Sequence, residues 1–217
     1  LSLEGQKAME DAIQEKYPDN GFQKLESDSV DPVNGEKFLL KCLCAVGLAA
    51  VLMIIYIAFR FRKIGGWSAG VVAVIALLHD VAVIYFTFVV FRMPVDDNFI
   101  AVVLTILGYS LNDTIIIYDR IRENRRIMGP RAEIGELVNT SINQTLTRTI
   151  NTSVATVMAV GVVVVVGLVY NLSSVVTFAL PLMFGIICGC YSSTCITGPL
   201  WVVWRRYRAK KLDAKKA

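Results

Sequence analysis

The chain has 217 residues, of which 55% are hydrophobic and 18% charged, with a formal net charge of +4. Its apolar residues fall into five blocks, each long enough to cross a hydrocarbon core of about 30 Å at about 1.5 Å per helical residue, so the expected fold class is an all-α membrane protein. The basic residues gather at the ends of these blocks, which excludes the one-sided basic face of a nucleic-acid-binding domain.

Residues 1–37 are polar and mixed, with no basic start followed by an apolar core, so they do not read as a signal peptide. Lys7 to Lys16 has the spacing of a short amphipathic helix, and Tyr17 to Gly21 (YPDNG) is a turn by composition. Phe22 to Val30 reads as a strand. A segment this short cannot bury a core of its own. With no opening Met, it is expected to be the remnant of a larger external domain in a longer parent.

The spans are expected at about 38–59, 67–91, 99–118, 150–170 and 175–204, with a basic cytoplasmic tail over 205–217. Trp67 is placed as an interfacial anchor. Between the third and fourth spans lies a basic connector, residues 119–149. There Ile134, Leu137, Val138, Ile142 and Leu146 recur at helical spacing, as in a helix lying along the membrane surface. A preceding span would complete a regular six-span bundle.

Lys and Arg set the expected orientation. Residues 60–66, 119–149 and 205–217 carry three, six and seven of them, against Arg92 in the opposite loops and five lysines (Lys7, Lys16, Lys24, Lys37, Lys41) before or at the start of the first span. The basic loops and the C-terminus are therefore expected in the cytoplasm, and the N-terminal segment outside.

Polar residues within the apolar blocks are the candidates for function. An acidic residue there is unfavourable by roughly 2.5–3.5 kcal/mol on insertion scales, so it faces protein or a water path. Thr105, Tyr109, Asn112, Asp113 and Ile116 share one helical arc, with Gly108 beside them to admit a neighbouring backbone. This stripe is expected to face other helices, with Val102, Val103, Ile106, Ile115 and Ile117 at its back. Asp113 reads either as helix glue or as part of an ion path. Arg148, with Gln144 and Thr152 on its face, reads equally as an interfacial anchor or as a fixed charge acting on a nearby carboxylate. His79 and Asp80 sit near the middle of the second span and point 100° apart, towards different partners. Gly185, Gly189 and Ser193 form a small-residue face for close helix packing, and Pro181 and Pro199 permit kinks.

The five cysteines lie in apolar blocks without CxxC spacing or an adjacent His, and are read as packing residues. Gly65-Gly66 is a turn, not a phosphate cradle. With no nucleophile–base pair, phosphate loop or metal-ligand cluster in the sequence, neither enzyme activity nor a metal or cofactor is expected.

Four stretches resemble the SecF subunit of the bacterial Sec protein-export machinery, which belongs to the RND-type transporter superfamily. They are GYSLNDTIIIYDRIREN (Gly108 to Asn124), SINQTLTRTINTS (Ser141 to Ser153), ALLHD (Ala76 to Asp80) and YSSTCITGPL (Tyr191 to Leu200). The resemblance runs from about Val30 to Arg208 and departs at the N-terminus, where the first span and external domain of that family are reduced to a remnant. It implies a multi-pass protein of the bacterial cytoplasmic membrane that pairs with SecD. It further implies assistance to the SecYEG channel and the SecA motor, alongside other Sec accessory membrane proteins, on a translocating polypeptide. It also implies proton coupling through Asp113 and Arg148. A passive membrane scaffold and half of an RND-type solute exporter are the competing readings.

Overall fold

The structure, a computed structural model, describes residues 3–17, 35–129 and 132–213. Its helices are α1 (Leu3–Lys16), α2 (Gly35–Arg60), α3 (Gly66–Val90), α4 (Asp97–Met128), α5 (Ile134–Val169), α6 (Ser173–Tyr191) and α7 (Gly198–Asp213). A 3-10 turn (Arg62–Ile64) joins α2 to α3, and a π-helical segment (Ser192–Thr197) joins α6 to α7. There is no strand among the described residues, and the strand expected over Phe22 to Val30 lies outside them. Among the described residues, five helices are long and apolar enough to cross a membrane, the last running from α6 through α7.

The chain divides within α2 into two compact units, residues 1–45 and 46–217. The first holds α1, which covers the helix expected over Lys7 to Lys16 and leaves Met9 and Ile13 exposed. The second holds the bundle.

A hydrophobic core of the bundle lies at the end that carries the basic loops. There Ile57, Phe61, Val72, Ile117, Ile121, Leu137 and Trp201 are buried together around Tyr118. Its polar atoms are satisfied: Tyr118 donates to the Ala69 carbonyl at 3.0 Å, and Trp201 Nε1 to Ser68 Oγ at 3.0 Å. The short α2–α3 connection requires φ +100° at Gly65, the left-handed region open to glycine.

Two expectations are corrected here. The connector over 119–149 is not a separate surface helix: its first part extends α4 to Met128, and Ile134 to Leu146 opens α5 as one continuous helix. No breaker separates Leu146 from Ile150, and Leu137 and Val138 turn into the core instead of along a membrane surface. The second correction concerns α4. Its apolar back (Val102, Val103, Ile106, Ile117) is buried against protein, and of the polar stripe Tyr109 and Asp113 face inwards as expected, whereas Thr105 and Asn112 are exposed. Burial of branched apolar surface against protein wins because the neighbouring helices offer it close-packed contacts.

The α6–α7 junction widens at a proline. Pro199 has no N–H to give to the carbonyl four residues back, so the α-helical ladder is interrupted there. The chain spans the gap with a π segment, in which Thr197 Oγ1 reaches the Ser192 carbonyl five residues back at 3.2 Å. This wide turn buries four hydroxyls, those of Ser192, Ser193, Thr194 and Thr197.

Candidate functional site

Two polar seams cross the bundle, one satisfied and one not. The first joins α3, α4 and the π segment around Asp80, which is fully buried. Its Oδ2 accepts hydrogen bonds from Ser110 Oγ at 2.7 Å and Ser192 Oγ at 2.8 Å. Ser193 lies 3.3 Å from Ser110 Oγ and 3.2 Å from Thr114 Oγ1, and donates to the Ser110 carbonyl at 3.1 Å. Small residues make this approach possible. A Cβ on Gly185 would stand 2.6 Å from Ile106 Cγ1, and one on Gly189 3.2 Å from Ser110 Cβ. Ser110, Thr114 and Ser192 do not stand out in the sequence as functional candidates, because isolated hydroxyls are common in helices.

The second seam lies between the antiparallel α4 and α5. Tyr109 donates to Ser153 Oγ at 3.1 Å towards one end, and Asn124 donates to Ser141 Oγ at 2.9 Å and Gln144 Oε1 at 2.8 Å towards the other. Ser141, Thr145, Thr149 and Ser153 recur every fourth residue and all are buried, a hydroxyl face legible in the sequence at helical spacing but not singled out there. The register set by the flanking bonds brings Asp113 and Thr149 to one level. Asp113 is 1% exposed, and its Oδ2 has no hydrogen-bond partner among the described residues; neither does Thr149 Oγ1. Two unsatisfied oxygens at one level are costly, since each buried polar atom without a partner forfeits about 1–3 kcal/mol.

Arg148 supplies the positive charge that acts on Asp113 through space, although no ion pair or hydrogen bond joins the two among the described residues. On the basic-loop side of Asp113, a cavity of about 660 Å³ is lined by Ile116, Asp119, Arg126, Gln144, Thr145 and Arg148, among others. Arg148 therefore both lines an open polar cleft and acts on the buried carboxyl.

The remaining sequence candidates fall elsewhere. Thr105 and Thr152 turn their hydroxyls back onto their own helices, to the carbonyls of Ala101 at 2.7 Å and Arg148 at 2.8 Å. Asn112 is exposed. A Cβ on Gly108 would meet nothing within 4 Å, so no helix among the described residues uses it for close approach. His79 and Asp80, expected to face different partners, share one: both contact Cys188. The fold thus places beside Cys188 a His that the sequence spacing does not show.

Residues 9–207 match the family described as protein export membrane protein SecD/SecF, C-terminal. The chain is 36% identical over 200 residues to the protein translocase subunit SecF of Alicyclobacillus acidocaldarius, covering 92% of this chain and 63% of that one. It is 38% identical over 189 residues to the protein translocase subunit SecDF of Bacillus subtilis, covering 86% of this chain and 25% of that one. The crystal structure of SecDF, a translocon-associated membrane protein from Thermus thermophilus, superposes with a TM-score of 0.77 at 35% identity, over 95% of this chain and 27% of that one. The chain thus spans less than two thirds of the relatives it matches. With its five apolar helices and these relatives, it is a multi-pass membrane protein.

Proposed function

The chain belongs to the protein-export SecD/SecF C-terminal family, and from that premise we propose that it is the SecF-like subunit of a Sec accessory complex. In this reading it pairs with SecD, serves the SecYEG channel and the SecA motor, and uses the proton-motive force to drive late steps of export across the cytoplasmic membrane. Relatives in which SecD and SecF form one chain support the pairing with SecD. The basic loops and C-terminus face the cytoplasm, following the distribution of Lys and Arg.

The observation that carries the reading is the unpartnered Oδ2 of buried Asp113, set beside Arg148 and a polar cleft. A carboxyl used only as helix glue is expected to have both oxygens engaged. Asp113 instead has a buried Oδ2 with no partner among the described residues, available to take a proton, and the fixed charge of Arg148 favours its release when the two approach. Moving one charge through the membrane potential releases about 2.3 kcal/mol per 100 mV. That biases a two-state helix rearrangement by roughly fifty-fold. The exposed stripe of Thr105, Gly108 and Asn112 is the face offered to SecD.

The test is preprotein export by inverted membrane vesicles containing the full-length protein and its partners, with and without a proton gradient. Asp113→Asn is compared with wild type. A loss confined to the gradient-driven component supports the proposal, and full retention of it argues for the scaffold.

A further inference from the structure

Away from the α4–α5 seam, His79 and Asp80 on α3 meet Cys188 on α6, with ligand atoms of all three within 4.8 Å of one another. Three distances define the cluster. Asp80 Oδ1 lies 3.3 Å from His79 Nδ1 and 3.6 Å from Cys188 Sγ, and Sγ lies 3.7 Å from His79 Nδ1.

We propose that His79 Nδ1, Asp80 Oδ1 and Cys188 Sγ form one face of a tetrahedral site for a zinc-class divalent cation, fastening α3 to α6. Zinc bonds of about 2.1 Å to nitrogen and oxygen and about 2.3 Å to sulfur place tetrahedral ligands about 3.4 Å (N···O) and about 3.6 Å (S···N and S···O) apart. The observed triangle matches each edge to within about 0.1 Å of that geometry.

The surroundings suit a metal. Asp80 Oδ2 is engaged by Ser110 and Ser192, which fixes the carboxylate and leaves Oδ1 pointing at the other two ligands. Binding displaces the thiol proton of Cys188 to solvent, so a 2+ cation with one thiolate, one carboxylate and one neutral imidazole is a centre without net charge. Neutrality matters where Asp80 is fully buried inside a membrane protein. Thiolate and imidazole together select zinc, cobalt or cadmium over magnesium and calcium. The His79 side chain is 40% exposed, so the cluster is open on that edge to an exogenous fourth ligand.

The experiment is cobalt(II) titration of the full-length protein in lipid nanodiscs. It reads the sulfur-to-cobalt charge-transfer band and the visible bands of a tetrahedral centre, followed by displacement with zinc(II). The expected result is one equivalent of cobalt with a single-thiolate band, displaced by zinc. That band is retained when Cys42, Cys44, Cys190 and Cys195 are all changed to Ser. It is lost in Cys188→Ser. In His79→Gln, affinity falls by more than the roughly 10–100-fold that loss of an outer-shell partner produces. No thiolate band at one equivalent in a folded wild type, or a band that survives Cys188→Ser, overturns the proposal. Should Cys188→Ser misfold, the four-serine variant decides: a retained band supports the site and a lost one overturns it.

Discussion

Ser110 Oγ on α4 donates to Asp80 Oδ2 on α3 across 2.7 Å, with both residues buried. Together with the Tyr118–Ala69 hydrogen bond, it ties α3 to α4 across a largely apolar contact. It cannot be replaced by solvent in that position. Ser110→Ala is therefore expected to destabilise the bundle by about 1–3 kcal/mol, the loss of one of the two donors to a buried carboxylate oxygen that keeps Ser192. Asp80→Asn keeps the shape and an acceptor oxygen and is expected to do less harm than Asp80→Leu. Unfolding of the detergent-solubilised protein measures all three.

Glycines on two faces of the bundle should respond oppositely. A Cβ at Gly185 meets Ile106 Cγ1 at 2.6 Å, so Gly185→Ala forces α6 from α4 and should cost about 1–3 kcal/mol of stability. A Cβ at Gly108 would have open space around it among the described residues. Gly108→Ala should leave subunit stability unharmed, while Gly108→Trp should weaken co-purification with SecD. Equal loss of subunit stability in both alanine variants would show that Gly108 packs inside the bundle.

At the basic-loop end, Glu133 accepts from Arg206 Nη2 at 2.6 Å and from the Glu136 amide at 2.7 Å. The Arg206 hydrogen bond, followed by those of the Glu136 and Gly135 amides, holds this carboxyl well below the usual range, at about 2. A depressed carboxylate contributes stability that is complete above its unfolded value of about 4.3 and is lost as pH falls towards about 2. Acid should loosen the α5–α7 tether over that window, and Glu133→Gln should abolish that dependence. Amide hydrogen exchange in α7 between pH 5 and pH 2 reads the effect. Salt should weaken it, because both side chains are more than half exposed.

Much of this architecture is legible in the sequence because lipid demands long apolar runs, and five such runs become five spanning helices. The charged stretch after Tyr118 misleads by composition. Arg, Glu and Gln are good helix formers, and pairs such as Arg120–Glu123 (2.6 Å) and Arg122–Asp119 (2.9 Å) support α4 beyond the apolar block. The facing of α4 is harder to read, since an apolar stripe fits lipid and a helical neighbour equally well. Ser141, Thr145, Thr149 and Ser153 carry a readable four-residue period. Cys188 and His79 do not: they are 109 residues apart, and only the fold brings them together.

The role of Asp113 is the central claim, and gradient-driven export by vesicles carrying the full-length protein with SecD, SecYEG and SecA tests it most directly. The Asp113→Asn protein should assemble with its partners and retain ATP-driven export. It should also lose at least tenfold of the component that depends on the proton gradient. An assembled Asp113→Asn complex that exports as fast as wild type under the gradient would contradict the account and leave Asp113 as a packing residue.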